Sequence, residues 1–119
     1  MVAEDNELSA QVLEQILVRR GHHVQLANNG REALAFAEAG GFDLLFLDIH
    51  MPELDGFQVV QAIRKLERNS AGHLPVIALT ARSRKEDRDR CLAAGMDDFL
   101  TKPIETKALR EKMIKWTAT

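Results

Sequence analysis

Apolar residues along this chain fall into two rhythms. Leu44-Leu45-Phe46-Leu47 and Val76-Ile77-Ala78-Leu79 are continuously apolar, as expected of strands covered on both faces. His23-Val24-Gln25-Leu26-Ala27 alternates, which suits the edge of a sheet. The other rhythm is helical. Leu13, Ile16 and Leu17 share one face of a segment over 9–20, with Arg19 and Arg20 near its end, where cations complement the helix dipole. Val59, Ile63 and Leu66 mark the buried face of a third helix, and Leu109, Met113 and Trp116 that of the last. Asn29, just before Gly30-Arg31-Glu32, offers an N-cap to the second helix, over 31–39.

Glycines punctuate this pattern. Gly21 follows the first helical segment, Gly40 and Gly41 the second, and Gly95 the segment over 85–94, while Gly72 precedes the strand at Val76. Helices often end on a residue of positive φ, which glycine adopts at little cost. Strands alternating with helices predict a parallel sheet with right-handed crossovers. The reading is five βα units in one doubly wound sheet, with the first strand clipped or very short, because only Met1, Val2 and Ala3 precede an acidic pair.

Composition narrows the class. A chain of 119 residues fits a single domain over 1–119. Sixteen basic against eighteen acidic residues leave a net charge of -2, without the basic surplus of a nucleic-acid reader. The lone Cys91 excludes an internal disulfide and fits a reducing compartment. No apolar run approaches the ~20 residues that cross a bilayer. The start, Met-Val-Ala-Glu-Asp-Asn, lacks the basic and apolar regions of a signal peptide, so a cytoplasmic chain without membrane contact of its own is expected.

In such sheets ligands gather beyond the carboxyl ends of the strands. Glu4 and Asp5 follow the first strand there, Asp48 the third, Thr80 ends the fourth, and Lys102 with Pro103 follows the fifth. Converging carboxylates repel and raise one another's pKa. A hard divalent cation relieves that repulsion, and oxygen donors of this kind suit Mg²⁺. Lys102 would add a point charge for a phosphoryl group. Each residue also has an ordinary reading: Glu4 and Asp5 as solvated turn residues, Asp48 and Thr80 as helix caps, Lys102 as a surface lysine. Their joint placement at one sheet edge outweighs these.

Other candidates carry less. His22 and His23 lack a third ligand at zinc-like spacing. His50 would contribute only its backbone carbonyl. Cys91 reads as a packing residue rather than a reactive thiol, and Trp116 as packing at the end of the domain. The charge-rich stretch over 82–90 reads as the wet face of the fourth helix, with a partner surface as the lesser reading.

Taken together, Glu4-Asp5, the segment Leu47-Asp48-Ile49-His50-Met51-Pro52-Glu53-Leu54-Asp55-Gly56, Leu79-Thr80-Ala81 and Asp97-Asp98-Phe99-Leu100-Thr101-Lys102-Pro103 resemble the receiver domain of two-component signalling proteins. The resemblance spans essentially the whole chain. It implies a flavodoxin-like α/β fold with five parallel strands in order 2-1-3-4-5 and helices on both faces. It makes Asp48 the carboxylate that accepts a phosphoryl group from phosphohistidine. Glu4, Asp5, Asp48 and the His50 carbonyl would hold Mg²⁺, Thr80 and Lys102 would bind the phosphoryl oxygens, and Thr80 with Phe99 would form the switch. The Lys102–Pro103 bond is often cis in this family, chemistry that proline permits. Partners implied are a histidine kinase transmitter domain or a histidine phosphotransfer domain. A weak homodimer is also compatible. Such domains promote their own phosphorylation and dephosphorylation, while their output is a changed surface, by family precedent around 84–115.

This sequence departs mildly from the family pattern. Glu4 stands where many members have Asp, and Phe99 lacks a tyrosine hydroxyl, so a switch here runs on ring packing. Two other classes fit less well. An Asp-nucleophile Mg²⁺ phosphatase of the haloacid-dehalogenase type places its nucleophile after the first strand with a second Asp two residues on, where this chain has His50 after Asp48. A flavin module would want a phosphate-cradling loop where Glu4-Asp5-Asn6-Glu7 would repel phosphate. The short first strand, together with the stretch over 80–104, looks most like receivers fused to hybrid sensor histidine kinases, whose parent chain can be membrane-bound. The expectation is a receiver excised from such a kinase, with a stand-alone regulator as the alternative.

Overall fold

The computed structural model describes residues 1–4, 7–19, 24–49, 55–68, 73–80, 85–101 and 104–117. Its elements alternate strictly: β1 (Val2–Ala3), α1 (Glu7–Arg19), β2 (Leu26–Ala27), α2 (Gly30–Ala39), β3 (Leu45–Asp48), α3 (Gly56–Glu67), β4 (Val76–Thr80), α4 (Lys85–Ala94), β5 (Asp98–Thr101) and α5 (Thr106–Thr117). All pairings are parallel, in the order β2-β1-β3-β4-β5. This is the flavodoxin-like order expected, with the alternating segment around Leu26 at an edge.

Successive residues of a strand point to opposite faces, and that period divides the core in two. On one side Ala3, Leu45, Leu47, Val76 and Ala78 pack beneath Ala33 of α2, Val59, Val60 and Ile63 of α3 and Cys91 of α4. On the other, Val2, Phe46, Ile77, Leu79 and Leu100 meet Leu13 and Leu17 of α1 and Leu109 and Met113 of α5. The central strands β3 and β4 are buried along their whole length, which is why they read as unbroken apolar runs.

β1 is two residues long yet lies inside the sheet. Its neighbours hold it: the Val2 amide donates to the Gln25 carbonyl and the Phe46 amide to the Met1 carbonyl, each at 2.9 Å. The expected cap of α2 is present, with Asn29 Oδ1 accepting from the Glu32 amide at 2.9 Å. Gly40 (φ 79) and Gly95 (φ 112) close α2 and α4 in the left-handed region, as glycine allows.

One helical face needs correction. Leu66 was expected beside Val59 and Ile63, but it is 45% exposed. The buried stripe runs through Gly56, Val59, Val60 and Ile63. Glu67, four residues beyond Ile63, continues that line, and its carboxylate accepts from Arg64 at 2.8 Å and from the Leu74 amide at 2.6 Å. A polar clasp therefore ends the stripe and turns Leu66 outward. Gly21, His22, His23 and Gly72 lie outside the described residues.

Candidate functional site

The sheet's register assembles the carboxyl edge. Ala3 pairs with Leu47, Asp48 with Leu79, and Thr80 with Thr101. One step further along β1, Glu4 stands beside Asp48, its backbone fixed by a 3.1 Å hydrogen bond to the Ala27 carbonyl. By the alternation of the strands, Glu4 and Asp48 face the side of α1 and α5, whereas Thr80 and Phe99 face that of α4. Glu4, Asp48 and Thr80 are 1%, 4% and 2% exposed. Glu4 and Asp48 are therefore buried carboxylates on neighbouring strand ends, and Glu4 is not a solvated turn residue. Asp48 is the last residue of β3 rather than the first after it.

The chain beyond Asp48 returns tightly. The Ile49 amide donates to Leu79 at 3.3 Å and the Gly56 amide to Ile49 at 3.2 Å. A Cβ at Gly56 would meet Ile49 Cα at 2.6 Å and the Asp48 carbonyl oxygen at 2.9 Å. Only glycine lets α3 start against the end of β3. Asp55 caps that start reciprocally: its side chain accepts from the Gln58 amide at 2.9 Å, and the Gln58 side chain accepts from the Asp55 amide at 3.0 Å. In the sequence Asp55 and Gly56 stand out only as the end of the receiver motif, although Asp followed three residues later by Gln is a capping-box signature.

Phe99 is half-buried between two cations. The Arg88 guanidinium carbon lies 4.6 Å from its ring centroid and the Lys112 ammonium 5.9 Å. Arg90 stacks likewise on Phe57, at 4.5 Å. Beside the ring, Asp98 receives Lys112 Nζ and Trp116 Nε1, both at 2.9 Å. Burial pushes the Asp98 carboxyl up, but hydrogen bonds from Trp116, Lys112 and the Phe99 amide, with the charge of Lys112, outweigh it and leave the pKa lowered. Trp116 thus packs the end of the domain through a polar tip. Cys91 is buried, consistent with a packing role.

Asp5, His50, Lys102 and Pro103 lie outside the described residues. Among the described residues no group of three or more His, Cys, Asp or Glu gathers to hold a metal. What they do supply is Glu4 and Asp48, hard oxygen donors on adjacent strands, a donor set that fits Mg²⁺ and not a thiophilic metal. Among the described residues no helix is long and apolar enough to cross a membrane.

The sequence matches the response regulator receiver domain family over residues 1–114, and the chain belongs to that family. It is 39% identical over 116 residues to hybrid signal transduction histidine kinase I of Dictyostelium discoideum, covering 93% of this chain and 7% of the kinase. It superposes with a TM-score of 0.91 and 31% identity on a co-crystal of the Saccharomyces cerevisiae histidine phosphotransfer protein Ypd1 with the receiver domain of Ssk1, covering 98% of this chain and 86% of that one. The receiver domain of sensor histidine kinase PA1611 from Pseudomonas aeruginosa, solved with a magnesium ion in its active site cleft, gives a TM-score of 0.88 at 35% identity, covering 99% of this chain and 95% of that one. The chain is a two-component receiver domain, a signal-transduction module.

Proposed function

We propose that Asp48 is the phosphoacceptor of this receiver and that the domain works within, or is served by, a hybrid histidine kinase relay. The observation that carries this is the burial of Asp48 at the end of β3 beside the Glu4 carboxylate. A carboxylate oxygen of Asp48 would attack the phosphorus of a phosphohistidine; the P–N bond would break, its electron pair remaining on the imidazole, and an acyl phosphate would form. Glu4, Asp5 and Asp48 with the His50 carbonyl would hold Mg²⁺, which supplies neutralisation of charge on the transferring phosphoryl oxygens. Thr80 and Lys102 would bind those oxygens, and the Thr80 hydroxyl, drawn inward, would open space for the Phe99 ring. Here the described part of the site supports Glu4, Asp48 and Thr80; Asp5, His50 and Lys102 enter by resemblance to the family.

The partners follow the relatives. The yeast neighbour is seen with a histidine phosphotransfer protein, and the curated relative is a hybrid kinase of which this chain matches a small part. We therefore infer that the partners are a kinase's own phosphohistidine and a histidine phosphotransfer domain, in a cytoplasmic setting. Incubation with phosphoramidate, with and without Mg²⁺, tests the site by intact mass. Wild type should gain one phosphoryl group only with Mg²⁺, and Asp48→Asn none. Phosphotransfer profiling tests the partners: exchange with a separate kinase and none with any phosphotransfer domain would favour a stand-alone regulator.

A further inference from the structure

α4 is an unusual helix for a core-flanking element. Its sequence, KEDRDRCLAA, buries Cys91, while Arg88, Asp89, Arg90 and Leu92 are exposed. Besides Cys91 and Ala94 in the core and the Arg64 bond to the Gly95 carbonyl, two of its described side chains reach its neighbours as guanidinium stacks, Arg88 on Phe99 of β5 and Arg90 on Phe57 of α3. The two stacks have different reach. Phe57 opens α3, whereas Phe99 lies on the same face of the sheet as Thr80, one strand over and two residues back in register.

We propose that Arg88 is a positioning residue for the Phe99 ring, its stacked guanidinium holding the ring on the α4 side of β5 and so setting how readily the domain enters its phosphorylated conformation. This rests on the reading of Asp48 as phosphoacceptor and of Thr80 with Phe99 as the switch pair. A contact present in one conformation only favours that conformation by its own free energy. The ring must leave Arg88 to fill space opened by Thr80, so the stack belongs to the unphosphorylated state. Lys112, farther from the ring and already paired with Asp98, is the weaker of the two cations. Arginine suits the task, because its planar group lies flat on an aromatic face.

The experiment compares phosphoramidate labelling rates, by intact mass with Mg²⁺, for wild type, Arg88→Ala, Arg88→Lys and Arg90→Ala. Arg88→Ala should label about 2- to 5-fold faster, the factor that one exposed cation–π contact corresponds to. Arg88→Lys should fall between it and wild type. Arg90→Ala removes the same charge from the same helix without touching Phe99, and should label at the wild-type rate. A purely structural role would leave the rate unchanged or lower it. In wild type, the Arg88 side-chain NMR signals should carry a ring-current shift that beryllofluoride abolishes, a readout independent of any variant's folding. Equal or slower labelling of Arg88→Ala relative to Arg90→Ala, or an Arg88 shift indifferent to beryllofluoride, overturns the assignment. A wild-type chain that takes no phosphate overturns the phosphoacceptor reading itself, and this inference with it.

Discussion

Helices α3 and α4 flank the same side of the sheet but are held in opposite ways. α3 buries Gly56, Val59, Val60 and Ile63, begins with a reciprocal cap, and ends in a clasp where Arg64 reaches Gly95, Leu74, Glu67 and Asp97. α4 has one fully buried side chain among those described, Cys91, with Ala94 packed beside the core, and its described exposed face carries the two stacked guanidiniums. Non-directional apolar burial of several side chains fixes an element, while single exposed contacts of about 0.5–1 kcal/mol let it shift. On the proposal made for Arg88, α4 is the element that phosphorylation would move, while α3 stays fixed behind Asp48.

The largest test of that contrast removes packing from each helix. Ile63→Ala should cost about 2–5 kcal/mol in urea denaturation, since the site is buried under the sheet, whereas Leu92→Ala, 46% exposed, should change stability by no more than ~0.5 kcal/mol. Comparable losses would erase the distinction. Arg64→Ala comes next. It would remove the guanidinium partner of Asp97, leaving that carboxylate to the Val76 amide and His73 Nε2, each at 2.8 Å, and should cost about 2–3 kcal/mol. Calorimetry would register the loss as a lower Tm.

How much of this was legible in the sequence depended on whether a signal was local. Leu44 to Leu47 and Val76 to Leu79 announced buried strands because both their faces are covered, and Asn29 announced a cap three residues from its partner Glu32. β1 gave almost nothing, since two residues carry no period; its place comes from β2 and β3 on either side. Leu66 misled because 59, 63 and 66 are as helical a spacing as 56, 59, 60 and 63, and only the polar clasp at Glu67 decides between them. The candidate residues Glu4, Asp48 and Thr80 were readable from the ends of apolar runs, and the structure buries all three. The Arg88–Phe99 stack was not, because residues eleven apart in sequence meet only once α4 and β5 pack.

Smaller effects sharpen the comparison at the borders of the two helices. Asp55→Ala removes the α3 cap and should cost about 1 kcal/mol, measured by urea midpoint. At the seat of β5 on α5, Asp98 has a lowered pKa in the folded chain, so its contribution is present above the unfolded value near 3.8 and lost as pH falls through the folded one. The stability gap between wild type and Asp98→Asn should therefore hold from neutral pH down to about 4 and close below it. A gap independent of pH would place the effect in packing instead of charge.

Asp48, as phosphoacceptor, would carry the phosphoryl group as an acyl phosphate. Wild-type chain labelled with phosphoramidate and Mg²⁺, reduced with borohydride and mapped by peptide mass spectrometry, reports the modified carboxylate directly, because an aspartyl phosphate is reduced to homoserine. Homoserine is expected at position 48 and at no other acidic residue. Homoserine elsewhere with Asp48 intact, or a phosphoryl group that survives borohydride and hydroxylamine as a stable ester would, contradicts it.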